Sequence, residues 1–205
     1  RDLATLAVGT GGAMLARRLT PPAREVLALA VATLPVVVAG FLADDWIEAR
    51  LRTLPVIASS TLLFGLLLVV AHRASRHGGV VSVTLAVALA VGLAQVLALI
   101  PGTSRSGITM TAAMLLGVER TAAARFSFLL SIPVIAGAGL LKGVELAAAP
   151  APAPWLPLAL AALLAGACAY SCIALFLRWV ARLGLLPFAA YRVGLALVLY
   201  ALWLA

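Results

Sequence analysis

Along this chain apolar residues run in long stretches separated by short polar breaks, and each stretch can be measured against a bilayer. A spanning helix needs about 20 mostly apolar residues. Residues 24–43, 55–72, 122–142 and 156–177 meet that length, and a fifth run, 186–204, follows near the carboxyl end. A sixth, 79–100, stops at Pro101-Gly102 and is followed by a shorter helical piece at about 107–118. Residues 2–16 are too short and too rich in Gly and Thr to cross, and are expected to lie at an interface. The stretch Ala147 to Pro157 carries four prolines and reads as a loop between two spans. The pattern predicts an all-α, polytopic membrane domain over residues 1–205.

Composition agrees. Of 205 residues, 64% are hydrophobic and 11% charged, whereas a soluble domain carries roughly 25% charged residues. A soluble fold must wet its outer faces and has nowhere to hide so much apolar surface. The net charge of +8 would suggest nucleic acid in a soluble protein. Here the cations sit between apolar runs, where positive-inside orientation accounts for them, so membrane lipid and not nucleic acid is the expected surrounding. Cys168 and Cys172 lie four apart in an apolar run and are expected to pack as small hydrophobes.

Charge also discriminates between topologies. If 79–100 and 107–118 form one re-entrant hairpin, spanning about 79–118, the chain leaves on the side it entered. Arg17, Arg18, Arg24, Arg73, Arg76, Arg120, Arg125, Arg178 and Arg182 then share a face, nine cations against three: Arg50, Arg52 and Lys142. If 79–100 crosses instead, the split becomes six against six. The positive-inside rule favours the hairpin. One tension is length, because a 22-residue helical arm reaches ~33 Å, long for a re-entrant segment unless strongly tilted.

The hairpin tip reads Pro101-Gly102-Thr103-Ser104-Arg105-Ser106-Gly107-Ile108-Thr109. Irregular backbone at membrane depth is tolerated where it is buried in protein or lines a wet cavity. Pro101 and Gly102 end the first arm and free backbone N–H groups, and Gly107 allows close approach of a ligand or another backbone. Ser104, Ser106 and Thr109 place hydroxyls around the start of the next helix, whose amino end is a ready anion site. Arg105 adds a planar fork suited to phosphate oxygens. Every group is a donor or a cation, so a phosphate or diphosphate fits best. The competing reading has Ser104 only capping the helix and Arg105 pairing with a distant carboxylate. An arginine at membrane depth is costly enough to favour the anion site.

The run Leu99 to Thr109, followed by Leu116-Gly-Val-Glu-Arg120 and Ala124-Arg-Phe-Ser-Phe-Leu-Leu-Ser-Ile-Pro133, resembles the bacterial undecaprenyl-diphosphate phosphatase, or bacitracin-resistance, family. Pro187-Phe-Ala-Ala-Tyr-Arg192 is similar to that family's last helix. The resemblance implies hydrolysis of undecaprenyl diphosphate to the monophosphate carrier lipid plus inorganic phosphate, with a divalent cation, Mg²⁺ or Ca²⁺. It implies a multi-pass protein of the bacterial inner membrane, with inverted repeats that each hold a re-entrant hairpin. It assigns Ser104, Arg105 and Thr109 to the catalytic diphosphate contacts, with Gly102, Thr103, Ser106 and Gly107 binding substrate around them. The family's other motif, paired glutamates before a Ser-Ser-Thr-Gly-His-like stretch, has no match here. An amino-terminally truncated form is therefore expected, its missing part supplying the metal ligands and the nucleophile or base. A natural short form is the alternative.

Two other functions compete. A translocase or transporter can use the same anion site without hydrolysis, since midplane sites in inverted repeats are common there. A purely structural subunit is disfavoured by the cost of Arg105. Other polar residues have plainer expectations. Asp44, Asp45 and Glu48 form a solvated loop, Glu119 pairs with Arg120, and Lys142 with Glu145. His72 and His77 are interfacial, while Ser127 and Ser131 serve close packing. Gln95 bonds the tip, a ligand or a neighbouring helix. Arg192 either snorkels or meets a lipid phosphate.

Overall fold

The computed structural model describes residues 21–75, 79–148 and 155–204. The described residues form seven α-helices in order: α1 (Pro21–Leu51), α2 (Leu54–Ala74), α3 (Leu85–Val96), α4 (Arg105–Leu115), α5 (Arg120–Ala148), α6 (Trp155–Leu183) and α7 (Leu186–Leu204). Five of them are long and apolar enough to cross a membrane, α3 and α4 being the exceptions. Large apolar side chains cover the outside, with Phe41 at 85% and Leu163 at 71% exposure. An outer surface of that kind is stable only against lipid, so the chain is a multi-pass membrane protein. The expected interfacial stretch 2–16, together with Arg17, Arg18, Arg76 and His77, lies outside the described residues.

The helices overrun the predicted spans. α1 carries Pro35 and α5 carries Pro133 within their lengths, which membrane helices tolerate because neighbouring groups satisfy the freed carbonyls. α1 also continues to Leu51, so Asp44, Asp45 and Glu48 belong to a helix and not to a loop. No Gly or Pro interrupts residues 41–51, and Ala, Glu, Ile and Arg there sustain the helix. Cys168 and Cys172 are both free and exposed on α6, not packed inside.

The segment expected to be one long arm is divided. Residues 79–84 are extended or bent, in keeping with their β-branched Val80, Val81 and Val83. Val80 bridges to Val118, donating to the Gly117 carbonyl at 2.9 Å and accepting from Glu119 N–H at 3.1 Å. Thr84 then caps α3, its hydroxyl accepting from Val87 N–H at 3.3 Å. The helix has 12 residues, about 18 Å of rise, and ends in a 3₁₀ turn at Leu97–Leu99. The α3–α4 pair thus starts and finishes side by side at residues 80 and 118, with residues 100–104 at its far end. The length tension in a 22-residue arm disappears.

This hairpin packs inside a cradle of longer helices. Ala88 and Val91 of α3 meet Ala28 and Ala32 of α1 in one buried cluster with Met110, Ala113 and Met114 of α4 and Phe126 and Leu130 of α5. A Cβ on Gly92 would lie 2.5 Å from the Ala32 carbonyl oxygen, so only glycine permits this approach of α1 and α3. α2 and α7 flank the tip and are tied by the Ser59 Oγ to Tyr200 hydroxyl bond of 2.7 Å. At the hairpin base, Arg24 and Arg125 line one crevice with Glu119. Arg120 reaches the turn at Gly184 beside His72. These arginines of the predicted majority face therefore gather at the hairpin base.

Candidate functional site

The first turn of α4 is built from the residues the motif singled out. Ser104 is its N-cap, at φ 65°, the one described non-glycine residue with positive φ. Such a backbone costs of order 1–2 kcal/mol for an L-residue and is held only where its surroundings fix it. Its hydroxyl accepts from Gly107 N–H at 3.3 Å, and its carbonyl accepts from Ile108 N–H at 3.0 Å. The N–H groups of Arg105 and Ser106 have no acceptor within the helix.

The surroundings that fix this strained cap come from two spans. Every carbonyl from residue 100 to 103 meets a protein donor. Ile100 accepts from Thr103 N–H at 3.2 Å, and Pro101 from Ser60 Oγ at 2.5 Å. Gly102 accepts from Thr61 Oγ1 at 3.2 Å and from Arg192 Nη2 at 2.7 Å. The same Nη2 donates to the Thr103 carbonyl at 2.9 Å. The carbonyls of residues 101–103 are thereby consumed by α2 and α7 and that of Ile100 by the tip's own Thr103, and donors remain at the start of α4. Gly102 has φ 92°, and a Cβ there would run into Ser60 Oγ and lie 2.8 Å from Thr61 Oγ1. Both conditions demand glycine.

α5 braces the other side. Arg105 Nη1 donates to the Ser127 carbonyl at a long 3.4 Å. Thr109 is fully buried, and its hydroxyl lies 2.6 Å from Ser127 Oγ and donates to the Arg105 carbonyl at 3.0 Å. All its polar contacts are within the protein. Ser104 is exposed, while Arg105, Ser106 and Gly107 are half-buried around it. Thr103 is fully buried, with its hydroxyl unpartnered among the described residues. Gln95 is likewise buried with both amide atoms unpartnered, so among the described residues it bonds neither the tip nor a neighbouring helix.

Sequence reasoning placed Ser104, Arg105, Ser106, Gly107 and Thr109 on one turn, as found. It passed over Ser60, Thr61 and the bracing role of Ser127, and left Arg192 between two readings. The available signal was the polar triplet Ser59-Ser60-Thr61 inside an otherwise apolar span.

The three acidic side chains described, Glu25, Glu119 and Glu145, are engaged elsewhere. Glu25 pairs with Arg125 at 3.0 Å, and Glu145 with Lys142 at 2.8 Å as expected. Glu119 caps α5 by accepting from Ala122 N–H at 2.9 Å. Burial pushes the Glu119 carboxyl up, but hydrogen bonds from Thr121 and Ala122 and the nearby Arg120 charge outweigh it, so the group sits below its usual value. His72 is buried within the protein, and its Nδ1 accepts from Leu185 N–H at 3.4 Å. Among the described residues no group of three or more His, Cys, Asp or Glu can hold a metal ion. The described tip, rich in donors and cations, does not fit a resident divalent cation.

Comparison with known proteins places this geometry in context. An undecaprenyl-diphosphatase of Alteromonas mediterranea is 55% identical over 174 residues, covering 84% of this chain and 65% of that protein. One of Chromohalobacter salexigens is 54% identical over 187 residues, covering 91% and 70%. A third, of Alcanivorax borkumensis, is 48% identical over 206 residues, covering 100% and 77%. The chain thus spans about two thirds to three quarters of the length of these relatives. The family model described as bacitracin resistance protein BacA matches residues 1–198, and the chain belongs to that family.

Proposed function

We propose that this chain carries the phosphate-binding half of an undecaprenyl-diphosphate phosphatase of the bacterial inner membrane. One observation carries the reading: the α3–α4 tip has its carbonyls tied back by Ser60, Thr61 and Arg192, leaving Ser104, Arg105 and the first N–H groups of α4 for an anion. The relatives' shared name supplies the substrate. The hairpin is re-entrant in this proposal, because a 12-residue α3 is too short to cross and both ends meet at the Val80–Val118 bridge. It forms part of one of two inverted repeats.

The polyprenyl tail enters laterally between helices, and the diphosphate seats at the amino end of α4. Water attacks the terminal phosphorus while its bond to the bridging oxygen breaks. Inorganic phosphate leaves, and the lipid monophosphate stays in the bilayer. Negative charge spreads over the equatorial oxygens of the transferred group, and stabilising it is most of what a protein contributes to phosphoryl transfer. Arg105 and the N–H groups of Arg105 and Ser106 supply that stabilisation. Ser104 orients an oxygen, Gly102 and Gly107 let the backbone approach, and Thr109 with Ser127 holds the turn in place. The water-activating group is not among these tip residues.

The test is phosphate release from undecaprenyl diphosphate by the purified full-length gene product in detergent, with Mg²⁺ and with EDTA. Release that depends on Arg105 is expected. A protein that binds the lipid but releases no phosphate under either condition would point to translocation without hydrolysis.

A further inference from the structure

At the end of the hairpin opposite the tip, a crevice of ≈ 960 Å³ lies between α1, the extended segment before α3 and the start of α5. That is within the roughly 300–1,000 Å³ of ligand sites and far more room than a lone ion needs. Buried Ala28 and Phe126 form its floor. Val81, at 76% exposure, and Leu85 stand at its rim. Apolar side chains left uncovered at the end of a membrane hairpin are suited to acyl chains.

Four charged residues line the crevice, and three of them are engaged. Arg125 and Glu25 hold each other through two contacts, at 3.0 Å and 3.3 Å. The Glu119 carboxylate caps α5 by accepting from Ala122 N–H at 2.9 Å, beside the Arg120 charge. Arg24 is exposed and makes no hydrogen bond or ion pair among the described residues. The crevice therefore presents one cation without a counter-charge. The start of α3 at Thr84 and Leu85 lies in the same wall, with its first N–H groups. Ser82 adds a hydroxyl that has no partner among the described residues.

One positive charge, donors around it and an apolar rim match a phosphodiester that carries one negative charge and hydrocarbon tails. A diphosphate carries more charge than one arginine balances. The arginine-rich end is the side that the positive-inside rule turns to the cytoplasmic leaflet, and basic pockets between helices on that side suit anionic head groups. We propose that this crevice seats the head group of an anionic glycerophospholipid: Arg24 takes the phosphodiester, Ser82 bonds the glycerol, and the acyl chains run out over Val81 and Leu85. The bound lipid then joins α1, the hairpin base and α5, and stabilises the packing that positions the hairpin. The inference needs only the membrane location and does not rest on the phosphatase reading.

The test is thermal melting of the full-length product in detergent micelles doped with phosphatidylglycerol or, for comparison, phosphatidylcholine. Wild type, Arg24→Gln and a control, Arg178→Gln on α6 outside the crevice, are compared. Arg24→Gln removes the charge without breaking a described bond, so each variant serves as its own reference across the two lipids. Wild type should melt at least about 3 °C higher with phosphatidylglycerol, as expected of a ligand that binds only the folded state. Arg24→Gln should lose most of that difference and Arg178→Gln should keep it. Equal melting of wild type in the two lipids overturns the proposal, and so does a difference retained by Arg24→Gln. An equal loss in both variants also overturns it, by assigning the effect to diffuse surface charge. An Arg24-dependent rise with undecaprenyl phosphate but not with phosphatidylglycerol would give the crevice to the polyprenyl lipid and refute the phospholipid.

Discussion

Replacing Arg105 with alanine separates a structural arginine from a functional one, because the two roles predict opposite balances of stability and rate. The structural contribution is small. Its one described hydrogen bond, Nη1 to the Ser127 carbonyl, is 3.4 Å long, beyond the usual 2.7–3.2 Å range, and no carboxylate pairs with it among the described residues. A bond of that quality is worth at most about 1 kcal/mol. Removing a half-buried guanidinium that lacks a counter-charge also relieves a desolvation cost, so the net change in stability should lie within about 1 kcal/mol of zero. The functional contribution is large. An arginine that stabilises the transferred phosphoryl group is worth roughly 10³–10⁵ in rate, about 4–7 kcal/mol at the transition state. Arg105→Ala should therefore melt within a few degrees of wild type and lose at least about a thousandfold in phosphate release. Arg105→Lys, which keeps charge without the planar fork, should recover only part of that loss. The assay is thermal melting of the purified variants beside phosphate release at saturating lipid. A folded Arg105→Ala that releases phosphate at a near-normal rate would refute the reasoning.

Three further outcomes follow from the same geometry. Gly102→Ala must place a Cβ against Ser60 and Thr61 at a positive φ, which should cost about 2–4 kcal/mol and lower both melting temperature and turnover; unchanged melting would mean that the tip is not held as described. In a background with Cys168 and Cys172 replaced by alanine, Val81→Cys and Leu116→Cys should react with an impermeant maleimide from the same side of the membrane; labelling from opposite sides would eliminate the re-entrant hairpin. Glu119 has a depressed pKa in the fold, so its capping contribution is present above the usual carboxylate range and fades as pH falls through it. Glu119→Gln should accordingly be less stable than wild type at pH 7 and converge with it in acid, as read by melting across pH; a gap that persists at low pH would assign the loss to packing.

How much of this was legible in the sequence depends on the range of the interaction. The five long spans follow from run length alone, since lipid-facing helices must be apolar over their whole length. The Ser104 cap and its place in front of Arg105, Gly107 and Thr109 were legible because they are local to one turn. The extended piece at 79–84 was not, because a short apolar run with several valines serves a strand or a helix equally well. The helical course of residues 44–48 was hidden by their acidity, which reads as solvated loop when no cap or breaker is weighed. Least legible was what holds the tip. Ser60 lies 41 residues from Pro101 and Arg192 lies 90 from Gly102, and single-residue patterns carry no record of such pairings. An isolated polar cluster in a span, as at Ser59 to Thr61, was the available hint, and its partner had to come from the fold.

The central claim is that the diphosphate seats at the amino end of α4. It is tested most directly by a structure of the full-length protein with a methylene-bridged, non-hydrolysable polyprenyl diphosphonate. The account predicts phosphonate oxygens within hydrogen-bonding distance, about 2.7–3.2 Å, of the Arg105 guanidinium, Ser104 Oγ and the N–H groups of Arg105 and Ser106. Density for the head group in the crevice at the hairpin base, between Arg24 and Arg125, with the α4 tip empty, would contradict it.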